Sequence, residues 1–101
     1  MVEQRRAQRF DLKLPLEVLS KSVQRGTQPG ETRNLSSGGV LFRANTALTL
    51  GENVEYVITF PTPPETNLEV RLRCVGKVVR FSPDAEVAAT LERYEFIRKP
   101  R

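Results

Sequence analysis

The sequence predicts an all-β domain, an antiparallel barrel or sandwich, on three observations. Apolar residues recur at every second position in several runs of strand length, turns rich in Gly and Pro separate those runs, and no amphipathic segment of helix length precedes the C-terminus. With 101 residues there is room for one hydrophobic core and hence one domain.

The first run starts at Leu12: Leu12, Leu14, Leu16 and Val18 point one way and Asp11, Lys13, Pro15 and Glu17 the other. Pro15 has no N–H for a ladder, which predicts an edge position or a bulge. Gly26 to Gly30 reads as a turn and Glu31 to Leu35 as the return strand. Ser36-Ser37-Gly38-Gly39 breaks the chain sharply before Val40-Leu41-Phe42-Arg43 resumes β character, and Leu50-Gly51-Glu52-Asn53 gives the next turn. Val54, Tyr56, Ile58 and Phe60 then alternate with Glu55, Val57 and Thr59 up to the stiff Pro61-Thr62-Pro63-Pro64 loop.

The longest run places Leu68, Val70, Leu72, Cys74, Gly76 and Val78 on one face, with Gly76 marking a bend or bulge. Ser82-Pro83-Asp84 turns the chain, Ala85 to Leu91 returns as a closing strand, and Glu92 to Ile97 reads as a short helix in preference to a strand end. Periodicity alone leaves the topology of these five or six strands open.

Composition narrows the function. Hydrophobic residues at 39% and charged residues at 28% are near globular averages, which argues against both a disordered polyelectrolyte and a membrane protein. No apolar run approaches the roughly 20 residues of a spanning helix, and Met1 to Arg5 lacks the apolar segment of a signal peptide. A cytoplasmic location is therefore expected, and a single cysteine, Cys74, agrees with a reducing compartment. The absence of histidine removes the commonest general base and zinc ligand, and no carboxylate pair or metal cluster stands out, so the chain is expected not to be an enzyme. A net charge of +4 favours an anionic partner, although charge of that size also serves solubility.

Two segments carry chemistry. Arg5, Arg6 and Arg9 crowd a stretch with no apolar periodicity, so residues 1–10 read as a flexible basic arm and residues 11–101 as the folded domain. A guanidinium can bond phosphate bidentately, pair with the O6/N7 edge of guanine or stack on a base, which a plain solvated arm would not require. The second segment is Asn34-Leu35-Ser36-Ser37-Gly38-Gly39. Asn34 can cap a turn or meet a base edge, the Ser36 hydroxyl can donate, and Gly39 lets backbone approach a ligand. The same residues also build an ordinary turn.

Together, Arg5-x-x-x-Arg9 and Asn34-x-Ser36-x-x-Gly39 resemble the two-part signature of PilZ domains. Gly39-Val40-Leu41-Phe42, Leu50-Gly51 and the Gly76-Lys77-Val78-Val79-Arg80 stretch are similar to later landmarks of that family, so nearly the whole chain is covered. The resemblance implies a six-stranded antiparallel PilZ-type β-barrel with a short C-terminal helix, a bacterial source, and recognition of cyclic di-GMP with no further cofactor. Carried over residue by residue, it implies that Arg5 and Arg9 close over the nucleotide while Asn34, Ser36 and Gly39 hold a guanine, the arm ordering as it binds and signalling to a protein effector. Arg6 and Arg33 flank the motif residues as further candidates. Gln4 stands where some relatives carry another arginine associated with a stacked nucleotide dimer, which leaves stoichiometry open. Two other readings compete: a PilZ-fold adaptor that binds protein only, and a small barrel binding nucleic acid through Arg71, Arg73 and Lys77. The latter is disfavoured because the chain has no Trp and its aromatics fall in apolar alternation.

Overall fold

A computed structural model describes residues 9–19, 28–44 and 47–100. Seven strands follow in order: β1 (Pro15–Val18), β2 (Gln28–Ser36), β3 (Gly39–Ala44), β4 (Asn53–Phe60), β5 (Leu68–Phe81), β6 (Val87–Thr90) and β7 (Arg93–Pro100). All pairings are antiparallel, in the order β4-β1-β2-β3-β6-β5-β7. A further β4–β5 pairing closes the first six strands into a barrel. Among the described residues, no helix is long and apolar enough to cross a membrane.

The period-two faces predict the core well. Leu16, Val18, Phe42, Tyr56, Ile58 and Cys74 are all at most 2% exposed, and the Phe42 and Tyr56 rings lie 5.8 Å apart. The Tyr56 hydroxyl donates to the Thr90 carbonyl at 3.0 Å, which satisfies the one polar atom of the largest core side chain. Burial pushes the Cys74 thiol up to about 12, partly opposed by a hydrogen bond with Tyr56, so this cysteine is a core residue rather than a nucleophile.

Three expectations are corrected. The strand predicted from Leu12 begins at Pro15, because the buried Thr32 hydroxyl intervenes between the chains: it accepts from the Leu14 N–H at 2.8 Å and donates to the Leu12 carbonyl at 2.5 Å. Nor is β1 an edge strand. It pairs with both β2 and β4, and Pro15 is tolerated because it is the first strand residue and pairs with β2 only. The turn expected at Gly26 to Gly30 falls partly outside the described residues, while Gln28, Pro29 and Gly30 already pair with Val18, Glu17 and Leu16.

The C-terminal helix is overturned. The described residues contain only a single 3₁₀ turn, Pro64–Thr66, and Glu92 to Ile97 runs into β7. Tyr94, Phe96 and Arg98 alternate with Glu95, Ile97 and Lys99, a period of two that suits a strand laid beside β5.

β5 holds the geometry together. One edge pairs with β4 over Val70 to Lys77, and the other pairs with β7 over Leu68 to Val75 and then with β6 over Val78 to Phe81. Gly76 sits at this changeover, where Thr90 crosses close above it: a Cβ on Gly76 would overlap the Thr90 carbonyl oxygen, and Thr90 Oγ1 accepts from the Lys77 N–H at 2.9 Å. The expected bulge lies just beyond, between Val78 and Arg80.

Candidate functional site

The site is built around the β2–β3 hairpin. Ser36 pairs with Gly39 across the two-residue Ser37-Gly38 turn, and the Ser36 hydroxyl accepts from the Gly38 N–H and donates to the Gly39 carbonyl, both at 3.3 Å. Ser36 is 9% exposed, so its hydroxyl is used first to close the turn. Gly39 also has a structural reason: a Cβ there would come within 2.8 Å of the Ala89 carbonyl oxygen of β6. The close approach predicted for this glycine is thus made by a neighbouring strand.

Upstream, the register between β2 and β3 shifts between Thr32 and Asn34, leaving Arg33 as the extra residue. Phe10 forms a β-bridge with Leu35, its N–H donating to the Leu35 carbonyl at 2.8 Å and its carbonyl accepting at 2.9 Å. This bridge fixes the residue next to Arg9, whose Nη1 donates to Asn34 Oδ1 at 2.5 Å. The two motifs meet at that hydrogen bond. A guanidinium carries five N–H donors, so Arg9 keeps most of its hydrogen-bonding capacity for an anion.

Arg9, Ser36, Gly38 and Gly39 line a cleft of about 280 Å³ together with Arg80 of β5 and Thr90 of β6. Among the described residues no carboxylate lines it, so Arg9 and Arg80 make it cationic. Asn34 lines an adjoining hollow with Asp11, Lys13, Arg33 and Glu86. There the candidate Arg33 is engaged by Glu86 at 3.1 Å, with Arg43 3.7 Å from the same carboxylate oxygen. Glu86 is only 7% exposed, and this pairing accounts for its burial. Arg5 and Arg6 lie outside the described residues.

The structure therefore brings Arg9 to Asn34 and places Ser36 and Gly39 in the same cleft as Arg9, while Arg33 is turned to an internal ion pair. Arg80 is the residue that sequence reasoning left out of the site. Its signal was present as the last residue of the Gly76-Lys77-Val78-Val79-Arg80 stretch, but strand alternation gave no hint that it would line the same cleft as Arg9.

A closed antiparallel barrel with Arg9 of its lead-in hydrogen-bonded to an Asn-x-Ser-x-x-Gly hairpin defines a class of small β-barrel domain. The chain belongs to the PilZ domain family, whose family model matches residues 3–97. Among solved structures, the fold is similar to that of the Bacillus subtilis inhibitor of motility MotI/DgrA, with a TM-score of 0.70 at 15% identity. The similarity covers 93% of this chain but only 45% of that one, so the chain spans less than half the length of that protein. No curated protein matches the chain.

Proposed function

We propose that the chain is a receptor for cyclic di-GMP that passes the signal to a protein partner. The observation that carries this reading is the Arg9–Asn34 hydrogen bond, which joins the two halves of the motif at the edge of a cationic cleft. Arg9 offers free N–H donors to a phosphate, and Asn34 offers an amide to a base edge. Arg80 supplies a second cation to the same cleft. Arg5 is four residues from Arg9, and four residues span at most about 14 Å when fully extended, so Arg5 can reach a ligand that Arg9 holds. Ser36 and Gly39 contribute chiefly by fixing the hairpin that presents Asn34.

Calorimetric titration of the full chain with cyclic di-GMP tests the proposal. Saturable binding is expected at micromolar concentrations, with Arg9→Ala and Asn34→Ala each weakening it about tenfold or more, the effect of about 1.4 kcal/mol or more from one lost charge-assisted contact. Absence of binding by the folded wild-type chain overturns the proposal in favour of a protein-only adaptor.

A further inference from the structure

Guanine presents two adjacent N–H donors, N1–H and N2–H, while its O6 and N7 accept. A site that tells guanine from other bases therefore needs a side chain with two acceptor positions side by side. Asn34 falls short of this. An arginine only donates, so the atom of Asn34 that Arg9 meets is the amide oxygen, which is left with one lone pair. The Asn34 NH2 group can serve only an acceptor such as O6.

The hollow that Asn34 lines contains two carboxylates, Asp11 and Glu86. Glu86 is buried and taken up by Arg33, with Arg43 near the same oxygen. Asp11 is exposed and has no ion-pair partner among the described residues. The other charged side chains of the hollow, Lys13 and Arg33, only donate. Asp11 is also placed to meet the base that Asn34 meets. Phe10 and Leu35 form an antiparallel bridge, so the next residues along the two segments, Asp11 and Asn34, oppose each other at the edge of that hollow.

We propose that Asp11 is the residue that selects guanine: its two carboxylate oxygens accept from N1–H and N2–H of one base of cyclic di-GMP, while the Asn34 amide donates to O6 of the same base. This assignment rests on the cyclic di-GMP reading. Adenine would set its N1 lone pair against the same carboxylate and is thereby rejected.

Calorimetric titration of the full chain and of Asp11→Asn with cyclic di-GMP and with cyclic di-IMP, whose bases lack only the 2-amino group, tests it. Asp11 is exposed, so the variant keeps the fold, which circular dichroism verifies. The wild type prefers cyclic di-GMP about tenfold or more. Asp11→Asn binds cyclic di-GMP about tenfold more weakly and loses most of that preference. Neutralising a carboxylate that made no base contact would instead leave binding of an anionic ligand unchanged or tighter. A wild type that binds both nucleotides alike, or an Asp11→Asn variant that binds cyclic di-GMP undiminished or keeps the full preference, overturns the role of Asp11 and leaves cyclic di-GMP as the ligand. A folded wild-type chain that binds neither nucleotide overturns both.

Discussion

Gly39→Ala separates two reasons for a glycine in the Asn-x-Ser-x-x-Gly motif. If the residue is small to admit a ligand, the added methyl blocks binding and leaves the fold intact. The structure points the other way: a Cβ at Gly39 meets the Ala89 carbonyl oxygen at 2.8 Å, and both residues belong to the β3–β6 ladder, where Gly39 pairs with Thr90 and Val40 with Ala89. Relief requires backbone movement, since the obstructing atom is main chain and not the end of a flexible side chain. Overpacking of this kind costs about 1–3 kcal/mol. With a urea slope of about 1–3 kcal/mol per molar for a small domain, the unfolding midpoint falls by roughly 1 M. Gly38→Ala is the internal control: nothing lies within 4 Å of a Cβ there, so its stability stays within about 0.5 kcal/mol of wild type. Urea denaturation followed by circular dichroism reads both. An unchanged midpoint in Gly39→Ala, together with lost affinity for cyclic di-GMP, refutes the strand-packing account and returns Gly39 to direct ligand contact.

Arg33→Ala removes a partner of the buried Glu86 carboxylate and lowers stability by about 1 kcal/mol, discounted for the partial exposure of Arg33, while nucleotide affinity measured by calorimetry changes by no more than about twofold; a tenfold loss of affinity would make Arg33 a ligand contact. Arg80→Ala leaves the unfolding midpoint unchanged and weakens cyclic di-GMP binding about tenfold, because its side chain is exposed and faces the cleft; unaltered affinity removes it from the site. Stability is level near neutral pH and declines above about pH 9: the unfolded Cys74 thiol ionises around its ordinary value of 9.0, whereas burial pushes the folded thiol up to about 12, so alkaline conditions favour the unfolded chain. Burial raises Tyr56 in the same sense from about pH 10 upward, each group contributing at most about 1.4 kcal/mol per pH unit, and urea midpoints across that range check the slope, with Cys74→Ala expected to flatten its first part. Amide exchange is faster in β7 than in β5, since β7 is paired on one side only; equal protection in dilute solution contradicts this.

Much of the barrel was legible because its strands are half-buried and their alternation is regular: Val54 to Phe60 and Leu68 to Val78 came out nearly as read. The failures share a cause. Each depends on a partner distant in sequence. Leu12 and Leu14 continue the alternation of β1, but a hydroxyl from Thr32 takes their backbone groups. Glu92 to Ile97 has too few residues for helical and strand periods to separate clearly, and the free edge of β5 decides the matter. In the candidate site, the motif pointed to Arg9 and Asn34, which the structure brings into contact, whereas the further candidate Arg33 pairs with Glu86 and Arg80, which was not a candidate, lines the cleft. A bulge turns Arg33 toward a buried carboxylate, and β5 carries Arg80 to the cleft.

The motif therefore divides into two kinds of work. Ser36 and Gly39 are consumed in making the hairpin and its contact with β6, and neither needs a ligand to explain it. Arg9, Asn34 and Arg80 are different: their polar groups reach the surface beside one cleft, and apart from the Arg9–Asn34 bond the structure gives them no internal use. Arg9 precedes the bridge to β2, while Arg80 stands on β5, separated from β2 by the two strands β3 and β6. An anion held by both would link the lead-in of the chain to the strand that also carries β7. Affinity would then depend on how far the two cations can be brought together, and not on the number of motif residues present. On the proposed reading, Arg9 and Arg80, and not Ser36 or Gly39, are therefore the positions at which binding would be lost without disturbing the barrel.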